Sequence, residues 1–371
     1  MRGLGLVVCG VVAPLGREEV ESWAPGGGTC EVVEGDEQDW RALQIAWGED
    51  VIRLTRSIPG DGRFQGQVRG LIGAANRADV LNSGRTGGRS ILVGQRCASA
   101  WQLVAVASLS SEGEGPLPEG WELLLRRIAQ RLNGIVFREG AFLDHELRLF
   151  LAPGQTPQTA AALPVLEDAL DRATGAEKRI SLFKLEPPPL PPLPGSEEIQ
   201  LRPAAEVAAR AQALWAVATV ASGVEPAAAS ELLASRGIGE VATPSEAAYL
   251  AGRSEKPHGF AHRKEALHTL LWALDRVELL SAPRHEADFE ELTRRMRRLP
   301  GTEFVEKAQL RPTAEILEEV AVHYACHGAL SMAGGSGESL LRVEVVRERA
   351  LSLLWLIQHL RQDWDTLEGS L

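Results

Sequence analysis

Apolar residues follow two different rhythms along the chain. Up to about residue 152 they gather in short runs rich in Val, Ile and Leu, and beyond about residue 200 they recur every three or four positions. The runs Leu4–Val12, Cys30–Val33, Val51–Thr55, Leu103–Ser108 and Leu147–Leu151 read as strands. Between them Gln38–Trp47, Gly66–Val80 and Trp121–Leu132 carry helix-spaced apolar residues, among them Leu123, Leu124, Ile128 and Leu132. Strands alternating with helices predict an α/β sandwich with a mixed sheet of about five or six strands. A further helix is predicted over Thr159–Leu170.

The second half reads as helix throughout. Pro203–Ala221 puts Val207, Leu214 and Trp215 on a buried side and stops at Gly223. Ala227–Ala234 and Ser245–Ala251 follow, the latter with Thr243 as N-cap, and then His262–Leu280 and Phe289–Arg298. Two long helices close the chain. The first opens at Leu310-Arg311-Pro312, where a proline suits the N-terminal turn, places Ile316, Val320, Tyr324 and His327 on one face, and ends at Gly334-Gly335-Ser336-Gly337. In the second, Val343, Val346, Ala350, Leu353, Ile357, Leu360 and Trp364 form one continuous seam.

Between the halves lie Pro187, Pro188, Pro189, Pro191, Pro192 and Pro194, which can join neither a helix nor a sheet ladder because proline lacks the N–H donor. An exposed polyproline spacer is the expectation, although its PxxP spacing is also what proline-binding domains grip. The organisation predicted is α+β: an α/β domain over residues 1–183, a proline-rich linker over 184–198, and an all-α domain over 199–371.

Composition narrows the function classes. The 371 residues carry a formal net charge of −11, which argues against a phosphate backbone as partner. No run reaches the roughly 18 to 20 apolar residues that span a bilayer, so no membrane is implicated. The apolar run before Cys9 is shorter than the roughly 7 to 15 residues of a secretory core, and a first strand is the better reading of Leu4–Val12. Cys9, Cys30, Cys97 and Cys326 are widely spaced and form no CxxC pair, which fits a reducing cytoplasm.

Two stretches of the helical half echo each other. Leu201-Arg202-Pro203-Ala204-Ala205-Glu206-Val207 is matched by Leu310-Arg311-Pro312-Thr313-Ala314-Glu315-Ile316. Leu270-Leu271-Trp272 is matched by Leu353-Leu354-Trp355, with Lys264-Glu265 and Arg347-Glu348 at the same distance before. A duplicated helical hairpin would account for both. These segments, with His262-Arg263-Lys264-Glu265-Ala266-Leu267, Val345-Val346-Arg347-Glu348-Arg349-Ala350-Leu351 and Asp363-Trp364-Asp365, resemble an uncharacterised bacterial family catalogued as domain of unknown function forty-two seventy-two, over about residues 200–366. The family brings no established activity. Its pattern has an aromatic residue where His262 stands, a tryptophan where Gly328 stands, and charged residues where Ala321 and Ala325 stand, so any polar site of relatives would be degraded here.

The strongest candidate chemistry is His323 and His327, four apart on a helix with Glu319 one turn earlier, a spacing that can set two imidazoles and a carboxylate on one metal. It lacks the HExxH arrangement, and the competing structural reading puts His327 in the core with His323 at its edge. His258, His262 and His268 are helix-spaced only in part. The glycine-rich stretches Gly26-Gly27-Gly28 and Gly84 to Ser90 fit neither the P-loop nor the dinucleotide fingerprint. Cys326 adjoins His327, but neighbouring helical residues point about 100° apart, which disfavours a dyad. Asp363 and Asp365, at a helix terminus, suit capping better than catalysis. With no intact catalytic signature, the expectation is a cytoplasmic bacterial protein, non-catalytic and without cofactor, that serves as a protein-interaction or regulatory module. An immunity-type inhibitor is one form of it. The alternative is a metal-dependent hydrolase using His323 and His327.

Overall fold

A computed structural model describes residues 6–10, 15–24, 28–36, 39–47, 50–82, 88–100, 102–108, 119–163, 165–188, 190–237, 241–254, 257–333 and 340–371. The chain divides into two compact units, Met1–Leu166 and Glu167–Leu371. That division falls earlier than residue 183, and it leaves the proline-rich segment inside the second unit rather than between the two.

In the first unit the elements run β1 (Leu6–Gly10), α1 (Arg17–Trp23), β2 (Thr29–Gly35), β3 (Trp40–Trp47), β4 (Asp50–Ser57), α2 (Gly62–Leu81), α3 (Arg89–Ala98), β5 (Gln102–Ser108), α4 (Glu119–Arg131), β6 (Ile135–Arg138), β7 (Ala141–Leu143) and β8 (Leu149–Leu151). They build one eight-stranded sheet in the order β2-β3-β4-β5-β1-β6-β7-β8. Every neighbouring pair is antiparallel, so the sheet is not mixed. Short connections within β2–β4 and β6–β8 require it for those pairs, because a parallel pair needs a long crossover. Gln38–Trp47, expected as a helix, contains β3. Its Ile45 pairs with Cys30 on one side and Ile52 on the other, and that cross-strand pairing overrides a helix-like spacing of tryptophan and leucine. The sheet is covered on both faces: Leu103 of β5 joins Phe64, Val68 and Val93 of α2 and α3, whereas Val104 and Val106 join Val20 of α1 and Trp121, Leu124 and Ile128 of α4. Leu123, expected inside, is half exposed, because Trp121 and Leu125 take the inner face instead.

The second unit contains α5 (Glu167–Ser181), α6 (Ala204–Ala221), α7 (Pro226–Ser235), α8 (Pro244–Leu250), α9 (Arg263–Ala273), α10 (Phe289–Met296), α11 (Gly301–Glu306), α12 (Thr313–Met332), α13 (Val343–Leu356) and α14 (Trp364–Ser370). Two expected helices end early for a common reason. Helix α9 stops at Ala273, where Arg311 takes its terminal carbonyls: the Arg311 amide donates to Ala273 O and its guanidinium to Trp272 O at 2.8 Å, and the guanidinium also holds the chain past the helix end through Val277 O at 2.9 Å. Helix α13 stops at Leu356 in the same way, with the Arg202 amide donating to Leu356 O and Nε to Trp355 O at 2.9 Å. The seam expected to run on to Trp364 therefore breaks at Gln358, in the left-handed region at φ 52°, and Trp364 starts a separate helix whose ring is again buried.

These two clamps are the same device used twice. Each Leu-Arg-Pro segment caps the tryptophan-bearing helix of the other half, and each arginine lies over the ring it caps, Arg202 at 4.4 Å from Trp355 and Arg311 at 5.4 Å from Trp272. The sequence echo thus corresponds to a repeated and reciprocal set of contacts. Between α9 and α13, buried ion pairs join Arg263 to Glu348 at 2.6 Å and Arg349 to Glu265 at 3.0 Å. Arg210 grips Glu246 at 2.5 and 2.6 Å and lies 4.0 Å over Trp364, which ties α6 and α8 to α14. Buried charges survive only when paired in this way.

Candidate functional site

Helix α5 was displaced in the expectation to Thr159–Leu170. It begins at Glu167, with Glu167 and Asp168 in its first turn and Lys178 and Arg179 in its last, an order that suits the helix dipole. Its inner face is mostly alanine, Ala169, Ala173 and Ala176 leading to Ile180, which is too weakly apolar to stand out as a seam. It packs on α12, where Ala321, Val322, Cys326 and Ala329 face it. Small residues on both sides let the helices approach, and they leave a small, partly open cleft of about 40 Å³ bordered by Ala173, Arg172, Tyr324 and Ala325.

The proline-rich segment closes that cleft. Pro188, Leu190, Pro191 and Pro192 line it opposite the helices, and Leu193 is buried in the main helical core. Of residues 187–194 only Leu190 and Leu193 own an N–H, and Leu190 spends its own on Pro188 O at 2.7 Å. Held by side-chain packing, this strap rests in a notch at Gly328, where an added Cβ would collide with Leu190 Cδ1 and stand 3.2 Å from Pro188 Cγ. One polar latch fastens its far end: Arg172 donates to Pro194 O at 2.7 Å and to Asp168 at 2.6 Å, while Asp168 accepts from the Ser196 amide at 2.8 Å. Burial would raise the Asp168 carboxyl, but the Ser196 amide and Arg172 outweigh it and bring it down to about 2.

The histidines lie elsewhere in function. His323 is 2% exposed, the reverse of the expected edge position, and His327 is only half-buried. His323 Nδ1 lies 2.9 Å from Glu319 O, and Glu319 is itself engaged by Arg179 of α5 at 2.7 Å. Burial, reinforced by the Arg349 charge, pushes the His323 imidazole down to about 3. It is a neutral core group. Among the described residues no three His, Cys, Asp or Glu side chains come together in a way that could hold a metal ion. His268 is buried and pushed down to about 4, chiefly by burial and then by Arg349, whereas His258 is exposed and His262 stands 4.0 Å from Glu286. Cys326 is fully buried, which raises its thiol to about 12 and removes it as a nucleophile.

Asp363 caps α14 through the Thr366 amide, and Asp365 accepts from the Ser245 amide and hydroxyl at the start of α8. Thr243 caps α8 as expected. Residues 26–27, 84–87 and 334–337, in the glycine-rich stretches, lie outside the described residues. The departures at Ala321, Ala325 and Gly328 all fall at the strapped cleft, which sequence spacing alone could not have revealed.

The second unit is therefore a helical module built around two reciprocal arginine clamps, with an alanine-lined cleft occupied by its own chain. Residues 166–367 match the family model described as Domain of unknown function (DUF4272), and the chain belongs to that family. The match begins at α5, so helix and strap lie inside the family segment, ahead of the expected start near residue 200. Neither the curated proteins nor the solved structures contain a match to the chain. Among the described residues no helix is long and apolar enough to cross a membrane.

Proposed function

We propose that the protein is a non-catalytic, cytoplasmic protein-interaction or regulatory module whose contact surface is the cleft between α5 and α12. The observation that carries this reading is that the cleft already holds a peptide segment of its own chain, seated by side chains against small residues rather than by a main-chain ladder. The acidic net charge of −11 favours a protein partner over nucleic acid. An immunity-type inhibitor would be one such module. The committed state of Glu319 and His323 supports the absence of metal-dependent hydrolysis. Elemental analysis of the purified chain tests this directly: no stoichiometric zinc or similar ion is expected. One tightly held metal per chain, lost on His323→Leu, would restore the hydrolase reading in its place.

A further inference from the structure

We propose that the strap Pro187–Pro192 is a displaceable cover, and that the cleft beneath it takes a proline-rich, leucine-containing segment of a partner protein in its place. This inference rests on the interaction reading above and names the partner's chemistry and the regulation of the same cleft. The occupant on the page defines what fits. A polyproline segment arrives with little chain entropy left to lose and almost no N–H groups to satisfy, so an apolar cleft with few polar groups suits it. Leu190 provides the register, because its side chain fills the notch that only a glycine at position 328 leaves open.

Three features make the strap a cover rather than part of the core. Its fit is incomplete, since a partly open space of about 40 Å³, room for a few water molecules, remains beside it. Pro188, Leu190, Pro191 and Pro192 are half-buried, and Glu186 and Pro187 are exposed. Its ends are anchored independently of its middle, at Leu185 in the α5–α12 core on one side, and on the other at Leu193 in the main helical core and at Gly195, whose amide donates to the buried Glu198 at 2.9 Å. The middle can lift while the ends stay. Near it the fastening is the Arg172–Asp168 latch on Pro194 and Ser196, at the rim of the cleft.

The test uses a fluorescent synthetic peptide of residues 186–193, which lacks the latch partners Pro194 and Ser196, and the full chain in three forms: wild type, a chain with residues 187–192 replaced by a Gly-Ser linker of equal length, and Arg172→Gln, which loosens the tethered strap alone. A short tether gives the native strap an effective concentration on the order of millimolar, so for an intrinsic Kd of about 100 µM it weakens binding in trans about tenfold. Anisotropy should therefore show saturable binding to the strap-replaced chain, about tenfold weaker binding to wild type, and an intermediate value for Arg172→Gln. Adding Gly328→Leu to the strap-replaced chain fills the notch and should abolish binding, with no Leu190 left for the new side chain to strike. Absence of binding to both the replaced and the Arg172→Gln chains overturns the proposal, as does equal binding to all three or binding that survives Gly328→Leu. If the replaced chain fails to fold, Arg172→Gln against wild type decides. None of these outcomes bears on metal content, so a failure here is distinct from a failure of the non-catalytic reading.

Discussion

Truncating either clamp arginine should cost the helical unit a comparable amount of stability, to within about 1 kcal/mol, and that is what the duplicated design demands. In Arg311→Ala the chain loses donors to Trp272 O at 2.8 Å, Val277 O at 2.9 Å and Glu278 O at 3.2 Å. Arg202→Ala loses donors to Trp355 O at 2.9 Å and Gln362 O at 3.3 Å. A charged hydrogen bond is worth about 1.5–3 kcal/mol, but both side chains stay partly exposed and the freed carbonyls can rehydrate, so about 1 kcal/mol per good bond is the better figure. Stacking on the tryptophan adds roughly 0.5–1 kcal/mol. The solvent-facing pairs to Glu206, Glu315 and Asp275 add little. Arg311→Ala should therefore cost about 3 kcal/mol and Arg202→Ala about 2 kcal/mol, which corresponds to roughly 4–12 °C in Tm for a unit of this size. Lysine at either position should recover less than about half, since it lacks the planar fork. Urea unfolding followed by tryptophan fluorescence measures both. If one variant lost the predicted stability while the other stayed within about 0.5 kcal/mol of wild type, the two clamps would not be equivalent and the repeat would be one of sequence alone.

Stability should fall as pH drops from about 6.5 toward 4. In that window the unfolded chain takes up protons on His323 and His268 that the folded chain, with these groups held at about 3 and about 4, does not. His323→Leu should flatten the dependence by about one proton in urea unfolding at pH 7 and pH 5, and an unchanged slope would deny that His323 is a neutral core group. Gly328→Ala should destabilise by about 1–3 kcal/mol through overpacking against Leu190, and Leu190→Ala should relieve it, a coupling that a double-mutant cycle detects and whose absence would remove the notch. Cys326 should escape alkylation in the native chain at pH 8 and react only on unfolding, as peptide mapping by mass spectrometry would show.

Helix positions in the second unit were legible because Leu267, Leu270 and Leu271 or Val346, Ala350 and Leu353 pack as their spacing demands. Where those helices end was not, since α9 and α13 are stopped by Arg311 and Arg202, residues distant in sequence. Strand β3 was misread because its identity depends on partners at Cys30 and Ile52 rather than on its own period. The site escaped for a related reason. Alanines at 169, 173 and 176 give almost no hydrophobic signal, and the proline run reads as a spacer until the notch at Gly328 shows where Leu190 goes. The histidine pair is conspicuous, yet what keeps His323 neutral, its burial and then the Arg349 charge, comes from packing against other helices.

The most direct test of where this protein works is alanine-methyl NMR of the strap-replaced chain, with the peptide of residues 186–193 titrated in. Shifts concentrated on Ala169, Ala173, Ala176, Ala321 and Ala325, which line the cleft, are the predicted result. Methyls that stay unmoved there at saturating peptide, or that move elsewhere instead, would contradict the assignment of function to the α5–α12 cleft.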